Sequence, residues 1–310
     1  MLFQKTNINI PADVPHKAEK TYQQNYAAIT KKSGKLMLFA CDQKIEHLNN
    51  DFYGFGIHDD AQYLEHIFNI ASHGIIGAFA THLGLIARYA KHFPGLAYIA
   101  KLNGKTDLIP TTQRDPISTQ LWSVHDVVEL QRDAGISIHG VGYTIYLGSE
   151  HEHEMLHQAA RMIHEAHHHG LLAILWIYPR GKSITDDQDP QLLAGTAGLA
   201  ASLGADFVKI KTPKASGDKT SAQWLQIICA AAGNTKVICA GGEQQEPETF
   251  LQELYDQLHI GGVAGCATGR NIFQRSFEQA VAMTKAISAL VIQHKDVPYA
   301  LRVYKEGHKH

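Results

Sequence analysis

Residues Phe207-Val208-Lys209-Ile210-Lys211 put two lysines inside a run that otherwise has the composition of a buried strand. The run follows Leu203-Gly204-Ala205-Asp206, a helix end and turn, and stops at Thr212-Pro213. Burial disfavours an ammonium ion, so a lysine held there is pushed towards the free amine. A free amine attacks a ketone or aldehyde carbon and forms a Schiff base. Side chains alternate along a strand, so Lys209 and Lys211 are expected on one face, roughly 6.6 Å apart. Each cation would then help the other lose its proton. The same five residues, taken alone, also fit an edge strand with two solvated lysines.

The elements needed to position such an amine recur along the chain. Eight short apolar runs are present: Leu36–Cys41, Ile75–Ala80, Ala97–Leu102, Ile136–Tyr146, Leu171–Tyr178, Asp206–Lys211, Lys236–Ala240 and Gly262–Ala267. Between most of them lie stretches with helical spacing: His58–Ser72, Ser123–Ala134, Glu150–His169, Pro190–Ser202, Ser221–Ala232 and Pro247–Leu258, with a long helix over Ile272–Gln293 after the last. Strand–helix alternation predicts a parallel sheet with helical crossovers. Eight units in this length predict an α/β fold of the closed (β/α)8 TIM-barrel type. Residues 1–33 read as an N-terminal extension with a helix near Lys17–Lys31, 34–293 as the barrel and 294–310 as a C-terminal tail without strand signal.

The chain has 310 residues, 45% hydrophobic and 19% charged, and a net charge of -2. That charge offers no field for nucleic acid or an anionic membrane. No apolar run reaches the roughly 18 residues of a membrane span. Residues 1–15 lack the pattern of a signal peptide. Four scattered cysteines read as reduced thiols, which predicts a cytoplasmic protein.

Catalytic groups of such barrels sit at the C-terminal strand ends. Those ends carry Asp42-Gln43 after the first run, Asn103 after the third and Tyr143 to Tyr146 in the fourth. The fifth carries Trp176, Tyr178 and Arg180, and the sixth the lysine pair. Asn103 fits a solvated strand end; Trp176, Tyr178 and two lysines do not. Ala240-Gly241-Gly242 and Gly269-Arg270-Asn271 close the last two runs. Glycine turns bring backbone N–H groups close to phosphate oxygens, and an arginine adds a bidentate cation.

In order along the chain, LFACDQKIEH, KLNGKT, VGYTIYLGSE, ILWIYPRG, GADFVKIK, AGG and ATGRNIFQR are similar to archaeal-type class I fructose-1,6-bisphosphate aldolases, Schiff-base enzymes related to deoxyribose-phosphate aldolase. The resemblance implies that Lys209 forms the imine and Tyr178 is the acid/base, although chemistry alone does not separate Lys209 from Lys211. It also implies that Asp42, Trp176, Arg180, Lys211, His47, Asp51, Gly241, Gly242, Gly269 and Arg270 contact a sugar bisphosphate, without cofactor or metal, in a homodecamer. Where that family reads Asp-His-Gly, this chain reads Asp42-Gln43-Lys44. Gln43 donates a hydrogen bond but does not titrate.

Three other readings compete. Related Schiff-base barrels (deoxyribose-phosphate aldolase, a heptulosonate-type synthase, an autoinducer thiolase) also use a lysine on the sixth strand. A non-catalytic sugar-phosphate binder leaves the lysine–tyrosine pair without a purpose. His153-Glu154-Met155-Leu156-His157 fits the zinc pattern H-E-x-x-H. It falls on the helix after the fourth strand, away from the strand ends, in a chain with 20 histidines where such matches arise by chance.

Overall fold

Period-two alternation along eight strands decides what fills the centre of this molecule. In the computed structural model, which describes residues 8–308, the strands are β1 (Leu36–Ala40), β2 (Ala78–His82), β3 (Tyr98–Lys101), β4 (Ile138–Leu147), β5 (Leu172–Pro179), β6 (Phe207–Ile210), β7 (Lys236–Ala240) and β8 (Gly265–Thr268). They form one closed barrel in sequence order, every pairing parallel. The expected (β/α)8 TIM barrel is therefore the fold. The first seven residues of the 1–33 extension and the last two of the 294–310 tail lie outside the described residues.

Two apolar cores share these strands. Leu36, Leu38, Ala78, Ala80, Ile99, Ile174, Trp176, Phe207 and Ile238 point inwards and pack with one another. The alternate residues, such as Met37, Phe39, Phe79, Val208 and Cys239, pack against the helices outside. Both faces are buried, which is why the strands read as unbroken apolar runs.

The helices are α1 (His16–Ile29), α2 (Gln43–Glu46), α3 (Leu64–His73), α4 (Leu83–Tyr89), α5 (Val124–Ala134), α6 (Glu152–His168), α7 (Pro190–Leu203), α8 (Ser221–Ala231), α9 (Pro247–His259), α10 (Arg270–Phe273), α11 (Phe277–Val291) and α12 (Val297–Gly307). Local signals start and stop them. Ser123 with Asp126 and Thr220 with Gln223 form reciprocal caps on α5 and α8. Asp189 caps α7 ahead of Pro190, and Gly204 ends it in the left-handed conformation (φ 86°) that turns the chain into β6.

Helix α1 crosses the N-terminal end of the barrel. Tyr22, Tyr26 and Ile29 join the inner core there, and Tyr26 stacks on Phe207 with ring centres 5.7 Å apart. The long helix expected over Ile272–Gln293 is broken at Gln274–Ser276. Arg275 turns back to the carbonyls of Asn271 and Gln245, and Ser276 caps α11. The residues after Asp296 form α12, whose Val297, Ala300 and Tyr304 are buried in the outer core. The second strand runs to His82, two residues beyond the apolar run that signals it.

Candidate active site

Continuing the inward alternation past each strand end names the site. Beyond Leu38 and Ala40 comes Asp42; after Ala78 and Ala80 comes His82; after Ile99 comes Lys101; after Phe207 comes Lys209. These groups surround the mouth of the barrel, above Trp176, and Asp42 and Lys209 open into a cavity of about 850 Å³. Its walls include Asp42, Gln43, Glu46, His47, Tyr178, Arg180, Lys209, Lys211, Ala240, Gly241, Gly242, Gly269 and Arg270. Of the residues expected at the site, Trp176 and Asp51 are not on these walls. Trp176 forms the floor with its indole N–H buried and unpartnered, and Asp51 stands behind His47 and Arg270.

Lys209 is 6% exposed, and its amine lies near enough to the Tyr178 hydroxyl for each to shift the other's protonation. Its Nζ lies 5.7 Å from the centre of the Trp176 ring. Desolvation pulls the amine down, but Tyr178 and Asp42 outweigh it and hold the ammonium above its ordinary value. Tyr178 is itself pushed up, mainly by burial, so near neutral pH it is a phenol and Asp42 carries the only negative charge of the pair. This corrects the expectation of an amine already neutral in the resting site. Asp42 is lowered: burial alone would raise it, and Lys209, Lys101 and His82 overcome that.

Lys211 is placed differently from the sequence reading. Strand β6 ends at Ile210, and the Lys211 amine pairs with Asp187 in the loop before α7. Paired with Asp187 at the cavity rim, it is not placed to help Lys209 lose its proton. The structure thus separates two lysines that the KIK motif leaves equivalent.

Cations collect around the mouth. Arg270 donates from Nε to the Gly242 carbonyl (3.1 Å), and its Nη1 lies 3.7 Å from Asp51. Asp51 also accepts from His47 Nδ1 at 2.6 Å, and this bond raises the imidazole above its ordinary value. Arg180 meets Glu46 at 2.9 Å. Glu46 also accepts from Tyr146 (2.8 Å) and lies 3.6 Å from Lys105. Gly242 has φ 69° with open space around it, whereas the Gly241 N–H is committed to the Ala267 carbonyl. A Cβ on Gly269 would lie 2.3 Å from Gln43 Nε2 and 2.6 Å from the Ala40 carbonyl, so only glycine fits there. Asp42 Oδ1, Gln43 Oε1 and Gln245 Oε1 are buried on or beside these walls without a protein partner. Buried polar atoms are rarely left so, and their gathering here marks a site shaped for a polar ligand.

Sequence reasoning gave no site role to Glu46, His82, Thr144 or Lys101, although Lys101 and Thr144 stand at the strand ends where such residues are sought. Period-two alternation would have found Lys101 and Thr144. Asn103, read as a solvated strand end, is fully buried and donates to the Ser118 and Thr144 carbonyls. The histidines of H-E-x-x-H lie exposed on α6. Among the described residues, the group of ligand atoms close enough together for an ion is Glu46, His47 and Asp107, where Lys105 and Arg180 already compete for the carboxylates.

The protein is similar along its whole length to known aldolases. It shares 51% identity over 302 residues, 97% of this chain and 96% of the other, with a fructose-bisphosphate aldolase/6-deoxy-5-ketofructose 1-phosphate synthase of Methanocaldococcus jannaschii. Its backbone matches a fructose-bisphosphate aldolase from Slackia heliotrinireducens with TM-score 0.96 and 49% identity, covering 99% of this chain and 96% of that one. It also matches an archaeal fructose-1,6-bisphosphate aldolase whose catalytic lysine is covalently bound to a carbinolamine intermediate, with TM-score 0.74 and 29% identity over 87% of this chain and 99% of that one. Residues 36–275 fit the DeoC/LacD aldolases. With a closed parallel barrel and a buried lysine–tyrosine pair at its C-terminal end, the chain belongs to the DeoC/LacD aldolase family.

Proposed function

We propose that this protein is a class I aldolase that cleaves and forms fructose 1,6-bisphosphate, with Lys209 as the Schiff-base lysine. The observation that carries the reading is the Lys209 amine, buried beside the Tyr178 hydroxyl at the floor of a cavity rimmed by arginines and His47. Lys209 sheds its proton to solvent through the cavity, and Asp42 stays a carboxylate. The amine adds to C2 of the open-chain ketose, and the carbonyl oxygen leaves as water to give an iminium. Asp42 lies opposite the developing charge and stabilises it. The iminium draws in the electrons of the C3–C4 bond as the C4 hydroxyl gives up its proton, and glyceraldehyde 3-phosphate departs. The enamine is reprotonated at C3, and water returns the amine and dihydroxyacetone phosphate. Tyr178 carries these protons.

Arg270 with Gly242 and Gly269, and Arg180 with Lys105, supply two cationic regions for two phosphates. His47, raised by Asp51, adds to the first. Trp176 and Gln43 shape the floor and wall, and Lys211 holds the rim through Asp187. The barrel, 34–293, carries the reaction, with 1–33 as its extension and 294–310 as its tail. We place the protein in the cytoplasm as a homo-oligomer; the scattered thiols, three of them buried, support the compartment, and family resemblance supports the assembly. Among the described residues no helix is long and apolar enough to cross a membrane.

The test is borohydride reduction with fructose 1,6-bisphosphate, followed by peptide mass mapping. A reduced sugar adduct on the Lys209 peptide, formed equally in the presence of a chelator, is expected. An adduct elsewhere, or none, refutes the assignment. Stronger labelling by deoxyribose 5-phosphate would move the substrate to the related barrels.

A further inference from the structure

The end of the barrel opposite Lys209 carries a groove with cations on its walls and no carboxylate. It runs beside α1, against the 94–97 loop and the start of β4, as two adjoining cavities of about 520 and 370 Å³ that share Ala28, Ser137 and His139. Lys31 and Lys32 line one cavity, and Thr21, Gln24, Asn25 and Gln131 line the other. Among the described residues neither lysine is ion-paired.

The two lysines are held there at a cost. Both adopt the left-handed conformation (φ 49° and 62°), where glycine is the default. Their side chains are not needed to finish α1. The backbone N–H groups of Lys31, Lys32 and Ser33 already donate to the Ala28, Ala27 and Thr30 carbonyls. His139, the second residue of β4, is half-buried, and its Nδ1 is buried without a partner. Buried polar atoms are rarely left so. Burial and then the Lys31 ammonium pull this imidazole below its ordinary value, against the Ser137 backbone, so it is neutral near pH 7. The other titratable groups on the groove are Lys32, at the end of α1, and His169, at the end of α6; α5 and the 94–97 loop present none.

A phosphoryl group among these three side chains would offset the repulsion between them and draw a proton onto His139. The wall beyond suits hydroxyl groups. Gln131 Oε1 accepts the Ile138 N–H (2.9 Å) and Asn25 Nδ2 donates to the Gly170 carbonyl (2.8 Å), which leaves the Gln131 amide N–H groups and the Asn25 side-chain oxygen free.

We propose that this groove binds a phosphate ester of a small polyol, with the phosphoryl group between Lys31, Lys32 and His139 and the hydroxyls along Asn25 and Gln131. The site lies at the N-terminal end of the strands and stands apart from the reaction assigned to the other end.

The experiment is isothermal titration of the full-length protein with glycerol 3-phosphate and, separately, with inorganic phosphate. Two classes of site are expected, one lost in Arg270→Ala and the other in the Lys31→Gln/Lys32→Gln double variant. Each lysine should contribute about tenfold in affinity. His139→Gln, checked for wild-type circular dichroism, should bind the ester about tenfold more weakly than wild type at a pH of about 6.5. That ratio should shrink towards one about two units higher, where the wild-type imidazole no longer takes up a proton on binding. If His139→Gln does not fold, the exposed lysine pair decides alone. Isotherms of the double variant that superimpose on wild type overturn the proposal, as does a single class of site abolished by Arg270→Ala. Inorganic phosphate held as tightly as the ester in the class lost with the lysines overturns the choice of ligand.

Discussion

Two buried charge clusters lie at opposite ends of β6, and they are built on different terms. At the N-terminal end Asp206, just before the strand, accepts from the Tyr22 hydroxyl, the Ala173 N–H (2.7 Å) and His167 Nε2 (3.2 Å). His167 is fully buried and meets Asp13 at 2.8 Å through its other nitrogen. Every strong donor and acceptor there is matched. At the C-terminal end Lys209 and Lys101 crowd one carboxylate, Asp42, whose Oδ1 has no partner, over a tryptophan whose N–H has none. Matched buried charges lock α1 and α6 onto the barrel floor. Unmatched ones hold chemistry in reserve for a ligand that completes them.

Removing Lys209 should break the contrast most completely. Lys209→Ala is expected to abolish cleavage and to lower the melting temperature, because Asp42 is left buried with one cation fewer. Tyr178→Phe should slow turnover about 10²- to 10⁴-fold yet still give the borohydride adduct. An active Lys209→Ala protein, measured by coupled assay for triose phosphate, would remove the catalytic reading altogether.

The opposite outcome is expected below the barrel. Asp206→Ala strands His167, the Tyr22 hydroxyl and the Ala173 N–H, and should cost about 3–5 kcal/mol in urea unfolding. The folded fraction should turn over at the parental rate. A loss of activity per folded molecule would show that the two ends are coupled.

The smallest effect is a pH dependence. Burial opposes the charge on His167, but Asp206 and Asp13 prevail and raise it. Its contribution to stability is then fully present below the ordinary histidine value of about 6.5 and fades as pH rises through the raised value. In His167→Gln the decline of melting temperature over that alkaline-going window should flatten. An unchanged slope would mean that His167 is neutral in the fold.

Much of this molecule is readable without coordinates. The eight apolar runs mark the eight strands because a strand buried on both faces has to be apolar throughout. Lys209, Tyr178, Asp42 and the glycine pairs stand out because polar residues and glycine are unexpected at the ends of such runs. His82 escapes because the apolar run stops at Ala80, before the strand does. Helix α12 escapes because its signal is one amphipathic face on a short polar segment, which becomes stable only on α9 and α11.

Alternation along each strand is a local property, so the sequence determines which residues of β3, β5 and β6 point inwards, and with them the presence of a buried lysine beside a tyrosine. Which inward groups meet is decided by barrel closure, since β1, β3 and β6 are far apart in the chain and Coulomb forces act across space. Only the tertiary structure could therefore pair Lys211 with Asp187, hold Lys209 as an ammonium against Asp42, and bring Lys101 to the same indole ring.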